Sequence, residues 1–577
     1  MKGKQWLALI LVLVLSMTVL ASCSSDSPSD ASSSEPEPSN SESSGEEESS
    51  GGETPQVPDG DNVNGSINQQ SYPIVDDKIT LSMWYPMAGS MGELSDFNEG
   101  EFWKWYEEKT NIHIDFIVPA ANTEKDAFNL LFVSDDMPDM LYTQPGDSST
   151  AHNYRGGEDK AIEDGYFIDM NEYLEYSPNY VSWINNQVDT GYQRAIYTDT
   201  GRLYGMWALW LPMDYEIGVM AELGVSIRQD FLDAVGMDIP TTYDEWYDVL
   251  VAFRDELGIE APFYTDKYGI DYTGEFMAGF GTAPYFYQVD GTVKYGPMDD
   301  EYKEYLTMLN QWYGEGLLDQ DFPTRANTAY SPDAEMMLND KVGACIDWAT
   351  RLSDTYISRG ATNEDFYLVA APQPTKGDGT VPQFHAVTGD SLIHGACVVF
   401  SAESDYIEEA IRWNDGFYAE DVYLNANYGL EDQEGVVWYA AADGHRIGDY
   451  DFRYANPNGL SSATVLVQYW TKNPPVRVEA AQIEQADDNK QSAYVTWSQY
   501  DAEWVIPRRT TMTADESTTY SSIYTDIETY VQECTVKFIT GSMSLDTYDA
   551  FRDTLRQMGI EEAISYRQAA LDRYNQR

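Results

Sequence analysis

Apolar and polar positions along the chain change their spacing in a regular order. Ile79-Thr80-Leu81-Ser82-Met83-Trp84 forms a short β-prone apolar run that stops at Tyr85-Pro86, which predicts a strand. Phe102, Trp105 and Tyr106 then fall at helical spacing up to Thr110-Asn111, after which Ile112, Ile114, Phe116 and Val118 alternate. A second helix from Thr123 to about Ser134 leads through Met137-Pro138-Asp139 into a third strand at Met140-Leu141-Tyr142. Strands and helices in this succession predict an α/β layer with a parallel sheet.

Farther along, Thr242 and Glu245 have the spacing of a capping box ahead of Trp246, Leu250, Phe253 and Leu257, one apolar face closed by Gly258. Another helix is predicted from Asp299 to Gly316 through Tyr302, Tyr305, Leu306, Leu309 and Trp312. Strand signals recur at Lys341 to Trp348, Phe366 to Ala371 and Ala396 to Phe400, and two helices, Leu545 to Met558 and Ile560 to Tyr574, flank Gly559. No internal repeat is visible.

Ahead of these folding signals the pattern is different. Lys2 and Lys4 precede an unbroken apolar run from Leu7 to Leu15, the layout of a secretory signal. The apolar stretch from Leu7 to Ala21 is 15 residues, short of the roughly 20 needed to cross a bilayer. It ends in Leu20-Ala21-Ser22-Cys23, which resembles the lipobox of bacterial lipoproteins. That resemblance implies cleavage before Cys23 and lipidation of it. Residues 24–70 hold eleven acidic residues and no Lys or Arg among many Ser, Gly and Pro. Such a stretch has too little apolar surface to fold and is expected to be a solvated tether with a reach of roughly 40 Å.

The charge narrows the possible partners. Of 577 residues, 97 are acidic and 34 basic, a net charge of −63, and such a field repels phosphate backbones, so nucleic-acid binding is not expected. With Cys23 lipidated, Cys345, Cys397 and Cys534 remain, so no disulfide framework is expected. No CxxC, HExxH or GxxxxGK[ST] occurs, so no metal, cofactor or ATP site is predicted.

Several segments in order resemble one family. They are Ser134-Asp135-Asp136-Met137-Pro138-Asp139-Met140, Gly201-Arg202-Leu203-Tyr204-Gly205-Met206, Ile227-Arg228-Gln229-Asp230-Phe231-Leu232-Asp233, and Pro240 to Trp246. Leu338 to Ala344, Ala410 to Tyr418 and Phe538-Ile539-Thr540-Gly541 continue the series. Across about 76–577 the chain resembles the extracellular solute-binding proteins of bacterial ABC importers, in the large lipoprotein branch of the sugar-binding kind. The resemblance implies an α/β, two-lobed periplasmic-binding-protein-like (type II) fold with multiple inter-lobe crossings. It also implies a cleft for an oligosaccharide, permease subunits as partners, a monomer, and a place on the outer face of the cytoplasmic membrane. Some relatives carry a calcium loop where this chain reads Asp255 to Ala261, which lacks alternating oxygen ligands, so calcium is not expected there. The expected divisions are 1–22 signal, 23–74 anchor and tether, 75–210 with 380–433 as the first lobe, and 211–379 with 434–577 as the second.

A sugar offers flat C–H faces and a rim of hydroxyls, so its site needs exposed rings beside polar side chains. The chain has 15 Trp and 43 Tyr against 20 Phe. Ligands in open α/β sheets sit beyond the carboxyl ends of strands, which selects Trp84 and Tyr85, with Gln144 and Asp147 on the same edge. Tyr285 and Phe286 lie in a Gly- and aromatic-rich loop. The resemblance adds Trp207 and Trp210 near a lobe crossing, and Asp347, Trp348 and Arg351 at a strand end where relatives place an aromatic platform. Trp438 completes the set, with Trp470 and Trp504 as weaker members, and Trp84, Trp207 and Trp348 lead it. The same importer role for a peptide or other polar solute, and an anchored glycoside hydrolase built on two carboxylates, are the competing readings.

Overall fold

The computed structural model describes residues 71–577 except 89–90, 92–93, 135, 146–151, 187–189, 212–222, 267–273, 275, 326–331, 385–392, 431–436, 448–449, 456–466, 472–473, 479–487 and 499–502. The signal, Cys23, nearly all of the tether and Asp147 therefore lie outside the described residues.

The opening units form as their spacing predicts. β1 (Ile79–Trp84) is followed by a helix, Glu101–Thr110, which ends because Asn111 takes a left-handed φ of 62°. β2 (Ile112–Ile117) then pairs parallel with β1 from Ile79↔Ile112 to Trp84↔Ile117. The helix Glu124–Leu131 leads to β3 (Met140–Thr143), and β4 (Met206–Leu211) follows after several short helices.

The next stretch builds a second sheet. β5 (Leu223–Arg228) precedes the helix Tyr243–Asp255, whose Thr242–Glu245 capping box forms in both directions. β6 (Ala261–Phe263), the hairpin β7 (Phe286–Val289) and β8 (Thr292–Tyr295), the helix Asp300–Gly314, β9 (Val342–Trp348) and β10 (Leu368–Ala370) come in turn. The chain then returns for β11 (Ile393–Phe400), a hairpin of β12 (Val437–Ile447) and β13 (Tyr450–Ala455), and β14 (Val476–Val478). It ends with helices Asp488–Trp497, Ala514–Ile539, Tyr548–Met558 and Ile560–Tyr574, the last two separated by Gly559 at φ 100°.

Each lobe is built on its own sheet. The first has the order β14-β4-β11-β3-β1-β2 and the second β10-β5-β9-β6. The parallel sheet expected from sequence is in fact mixed, because β11 enters on a return crossing and runs antiparallel to both β3 and β4. The second is mixed too, with β5 antiparallel to β9 and β10 and β6 parallel to β9. In the first lobe Trp103 stacks on Trp413 at 6.2 Å and 10°, and the Tyr106 hydroxyl donates to the Trp413 carbonyl at 2.6 Å. In the second, Trp246, Phe263, Phe276 and Trp312 fill one face, and Cys345, Tyr356, Phe366 and Trp497 the other.

Crossings between the sheets lie at 211–223, 370–393 and 478–488. β14, with Val476 and Val478 in the first core beside Tyr469 and Trp470, belongs to the first lobe, so the expected 434–577 division is amended. Its three residues are held there by pairing with β4, a long-range contact that leaves no local pattern. Arg509 also returns to the first lobe, where its Nε donates to the Ala195 carbonyl at 3.1 Å and its NH2 meets Glu158 at 2.7 Å. At the carboxyl end, Arg573 and Arg577 reach Asp199 at 3.3 and 2.6 Å, tying the last helix of the second lobe to the first.

Candidate ligand cleft

The crossings decide which strand ends face the junction. β4 leaves the first sheet at Leu211 and β5 enters the second at Leu223, while β10 leaves at Ala370 and β11 re-enters at Ile393. Register then groups the neighbours: Leu223 lies opposite Trp348, Ala370 opposite Ser226, and Ile393 opposite Leu209, with Cys397 opposite Thr143. The junction edge of the first lobe thus holds the ends of β1, β3 and β4, and that of the second holds the ends of β6, β9 and β10.

On the first edge the rings turn inward. Trp84 is 1% exposed, with its ring 4.9 Å from His152 edge-on and 5.6 Å from Phe128. The His152 N–H donates to the Gln144 carbonyl at 3.2 Å, and the Gln144 N–H donates to Nδ1 of His152 at 3.3 Å. Accepting at Nδ1 requires the neutral ring, and burial pushes the His152 pKa down to about 4. Gln144, half-buried, is thereby fixed at the end of β3.

Tyr85 is buried among Phe97, Trp103 and Tyr142, and burial pushes its hydroxyl pKa up. Trp207 is fully buried: its Nε1 donates to the Ile196 carbonyl at 3.1 Å and the Arg509 guanidinium covers its face at 3.9 Å. Trp84 and Tyr85 therefore stand where strand-end reasoning places their backbones and Trp207 lies at the second position of β4, but all three side chains serve the first core and present no face to a ligand. Trp470 is buried there too.

The second edge is different. Trp348 is half-buried against the second core at the last position of β9. Asp347 beside it is fully buried, and its carboxylate accepts from the Trp348 N–H at 2.8 Å, Arg351 at 2.9 Å and the Tyr356 hydroxyl at 2.7 Å. Burial pushes the Asp347 pKa up, opposed by Arg351 and these donors. With its oxygens so engaged, Asp347 positions the strand end that carries Trp348 rather than meeting ligand, and Arg351 is held by it.

Phe286 is buried between Tyr295 and Tyr524 at 4.7 and 5.0 Å, so it too is core. Tyr285 stays half-buried, 5.6 Å from Phe384, and half-buried Trp504 lies 5.3 Å from Tyr287. Trp210 and Trp438 sit in β4 and β12, with their side chains outside the described residues.

Sequence reading missed several groups on this edge. Past β6 come Thr265 and Asp266, both buried. Asp319 accepts from Arg325 Nε and NH2 at 2.7 and 3.2 Å, and the guanidinium lies 5.5 Å over the Tyr264 ring. Burial leads in pushing the Tyr264 pKa up to about 12. Past β10, Gln373 is 7% exposed and neither amide atom has a hydrogen-bond partner. Its signal in the sequence is parity: Val369, Ala371 and Gln373 share one side of the extended run. Among the described residues no group of three His, Cys, Asp or Glu is arranged to hold a metal. The edge therefore offers a ring, an amide and ion-paired acids, the equipment of reversible polar recognition.

No family model matches the chain. Among curated proteins it is 21% identical over 337 residues to the polygalacturonan/rhamnogalacturonan-binding protein YtcQ of Bacillus subtilis, a match covering 57% of this chain and 62% of that protein. It is 24% identical over 278 residues to the lipoprotein LipO of the same organism, covering 46% of this chain and 50% of that one. The matches thus span less than two thirds of these relatives. Among solved structures, the HMO-binding, ABC-transporter-associated solute-binding protein of Bifidobacterium longum infantis superposes with a TM-score of 0.63 at 18% identity, covering 86% of this chain and 99% of that one. The two-lobed architecture, the crossings and these similarities agree: this chain has the two-lobed fold of the solute-binding proteins of ABC transporters.

Proposed function

We propose that this protein is a membrane-anchored receptor that captures an oligosaccharide between its lobes and delivers it to an ABC importer. The observation that carries the reading is half-buried Trp348, held at a junction-facing strand end by Asp347, Arg351 and Tyr356. A ring carried on a strand end fixed in this way meets a sugar face with little backbone entropy lost on binding. The glycan-binding relative YtcQ and the HMO-binding structure support a carbohydrate ligand. Ligand touching both lobes favours the closed arrangement through contacts that the open one lacks, and a permease then reads closure.

Anchoring rests on Cys23 and on the relative named as a lipoprotein. Among the described residues no helix is long and apolar enough to cross a membrane. The protein binds without turnover in this reading, since Asp347 and Asp319, two acids of the second edge, are committed to arginines. Calorimetry and thermal shift against a panel of neutral and acidic oligosaccharides test it. One-to-one binding with no release of reducing ends is expected, and a panel in which no sugar stabilises the protein defeats the carbohydrate assignment.

A further inference from the structure

In the second lobe Arg228 and Trp246 each have one buried side-chain nitrogen without a hydrogen bond, whereas Gln373 has both amide atoms in that state. A buried amide without partners loses its hydrogen bonds to water and gains none in return, so such a group calls for an explanation. Here both the Nε2 and the Oε1 of Gln373 are buried and lack a hydrogen bond. The flanking backbone is pinned: Ala371 N–H donates to the Val225 carbonyl at 2.8 Å, and Thr375 N–H to the Thr241 carbonyl at 3.1 Å.

Its neighbours follow from register. Ala370 lies opposite Ser226, so continuing the pairing of β10 with β5 brings Gln373 beside Leu223. Leu223 in turn lies opposite Trp348. Leu223, Val225, Ile346, Val369 and Ala371 all belong to the same core face, the one against which Trp348 packs. An unsatisfied amide, an aliphatic side chain and a half-buried ring thus form one row across the junction edge.

The charges beside that row are already matched. Arg351 is paired with Asp347 at 2.9 Å and Arg325 with Asp319 at 2.7 Å. Among the described residues of this edge both guanidinium groups already face a carboxylate, and the chain as a whole carries −63.

We infer that Gln373 is a ligand-binding residue that reads the hydroxyls of a neutral sugar, and that the ligand is a neutral oligosaccharide rather than a polyuronate. An amide carries a carbonyl acceptor next to an NH2 donor, and two adjacent sugar hydroxyls offer the matching donor and acceptor. A carboxylate offers acceptors only, so it leaves Oε1 unsatisfied and faces a strongly acidic protein. The inference rests on the carbohydrate reading above and narrows it to a class that differs from the polygalacturonan named for the relative YtcQ.

The test is calorimetry on the mature protein and on Gln373→Leu, with cellotetraose, mannotetraose, xylotetraose and maltotetraose against tetragalacturonate, together with melting of each protein without ligand. The expected result is binding to a neutral tetramer and none to the uronate, with Gln373→Leu weakening the neutral ligand on the order of tenfold to a hundredfold. Without ligand the leucine variant melts at the same or a higher temperature, because it removes an unsatisfied buried amide. Unchanged affinity in the variant, or a lowered melting temperature, assigns the amide to the architecture and overturns its role. Tighter binding of tetragalacturonate than of any neutral tetramer overturns the ligand class while leaving the carbohydrate reading in place. Binding of neither class removes the carbohydrate reading itself, and the inference with it.

Discussion

Asp415 makes the stability of the first lobe depend on pH in a direction opposite to the usual carboxylate. It is fully buried, one carboxylate oxygen accepting from the Tyr180 N–H at 2.8 Å and the other from Asn179 N and Nδ2 at 3.3 and 2.8 Å, with Arg412 at 3.5 Å. Desolvation outweighs Arg412 and these donors and pushes its pKa up to about 6. Between the ~3.9 of an unfolded aspartate and about 6, the folded chain holds a proton that the unfolded chain has released. Stability therefore falls as pH rises through that window; the cost is absent below ~4 and fully present above the folded value. The gap corresponds to roughly 3 kcal/mol. Asp415→Asn removes the titration but places an NH2 where donors now converge, a penalty that does not vary with pH. Urea melts of both proteins from pH 4 to 7, read by tryptophan fluorescence, isolate the difference. The stability of the wild type relative to the variant is expected to drop by about 3 kcal/mol across the range. A relative stability that is flat or rises over the same interval refutes the argument, because it means the charged form is not penalised by burial.

The other predictions address separate parts of the molecule. Trp207→Ala is expected to lower stability by about 3–5 kcal/mol, whereas Trp348→Ala, at a half-buried position, should cost clearly less stability and weaken sugar binding on the order of tenfold; chemical melts and calorimetry separate the two rings. Gly224→Ala forces a Cβ to within 2.4 Å of the Trp497 ring, and the displaced ring should cost about 1–3 kcal/mol in a urea melt. Cys23→Ala is expected to release the protein from cells into the medium, measured by fractionation, with glycan affinity intact.

Local chemistry made much of the fold legible. β1, the Asn111 stop, the Thr242 capping box and Gly559 are encoded within a few residues of where they act. β14 is not, since Val476–Val478 owes its place to β4, more than 260 residues earlier. The site was harder. Strand-end logic located Trp84 and the resemblance pointed to Trp207, but whether a ring turns inward depends on His152, Phe128 and Arg509, which come from distant segments. Trp348 keeps a partly exposed ring because buried Asp347 holds the strand end from behind. Gln373 was overlooked because a lone polar residue between two prolines reads as a turn, and only the register of β10 shows it continuing a core row.

The strand order of the first sheet has a consequence for how the molecule is made. Between β3 and β4 lie strands contributed by residues 393–400 and, beyond β4, by 476–478. A nascent chain carrying residues 79–211 has β1 to β4 but neither β11, which lies between β3 and β4, nor the edge strand β14, so the sheet of the amino-terminal lobe cannot close by itself. The second sheet, drawn from residues 223–370 without interruption, needs only one contiguous segment. The first sheet therefore stays incomplete until more than four fifths of the polypeptide has emerged, and the second core, which also draws on Trp497, Phe538 and Leu571, is completed later still.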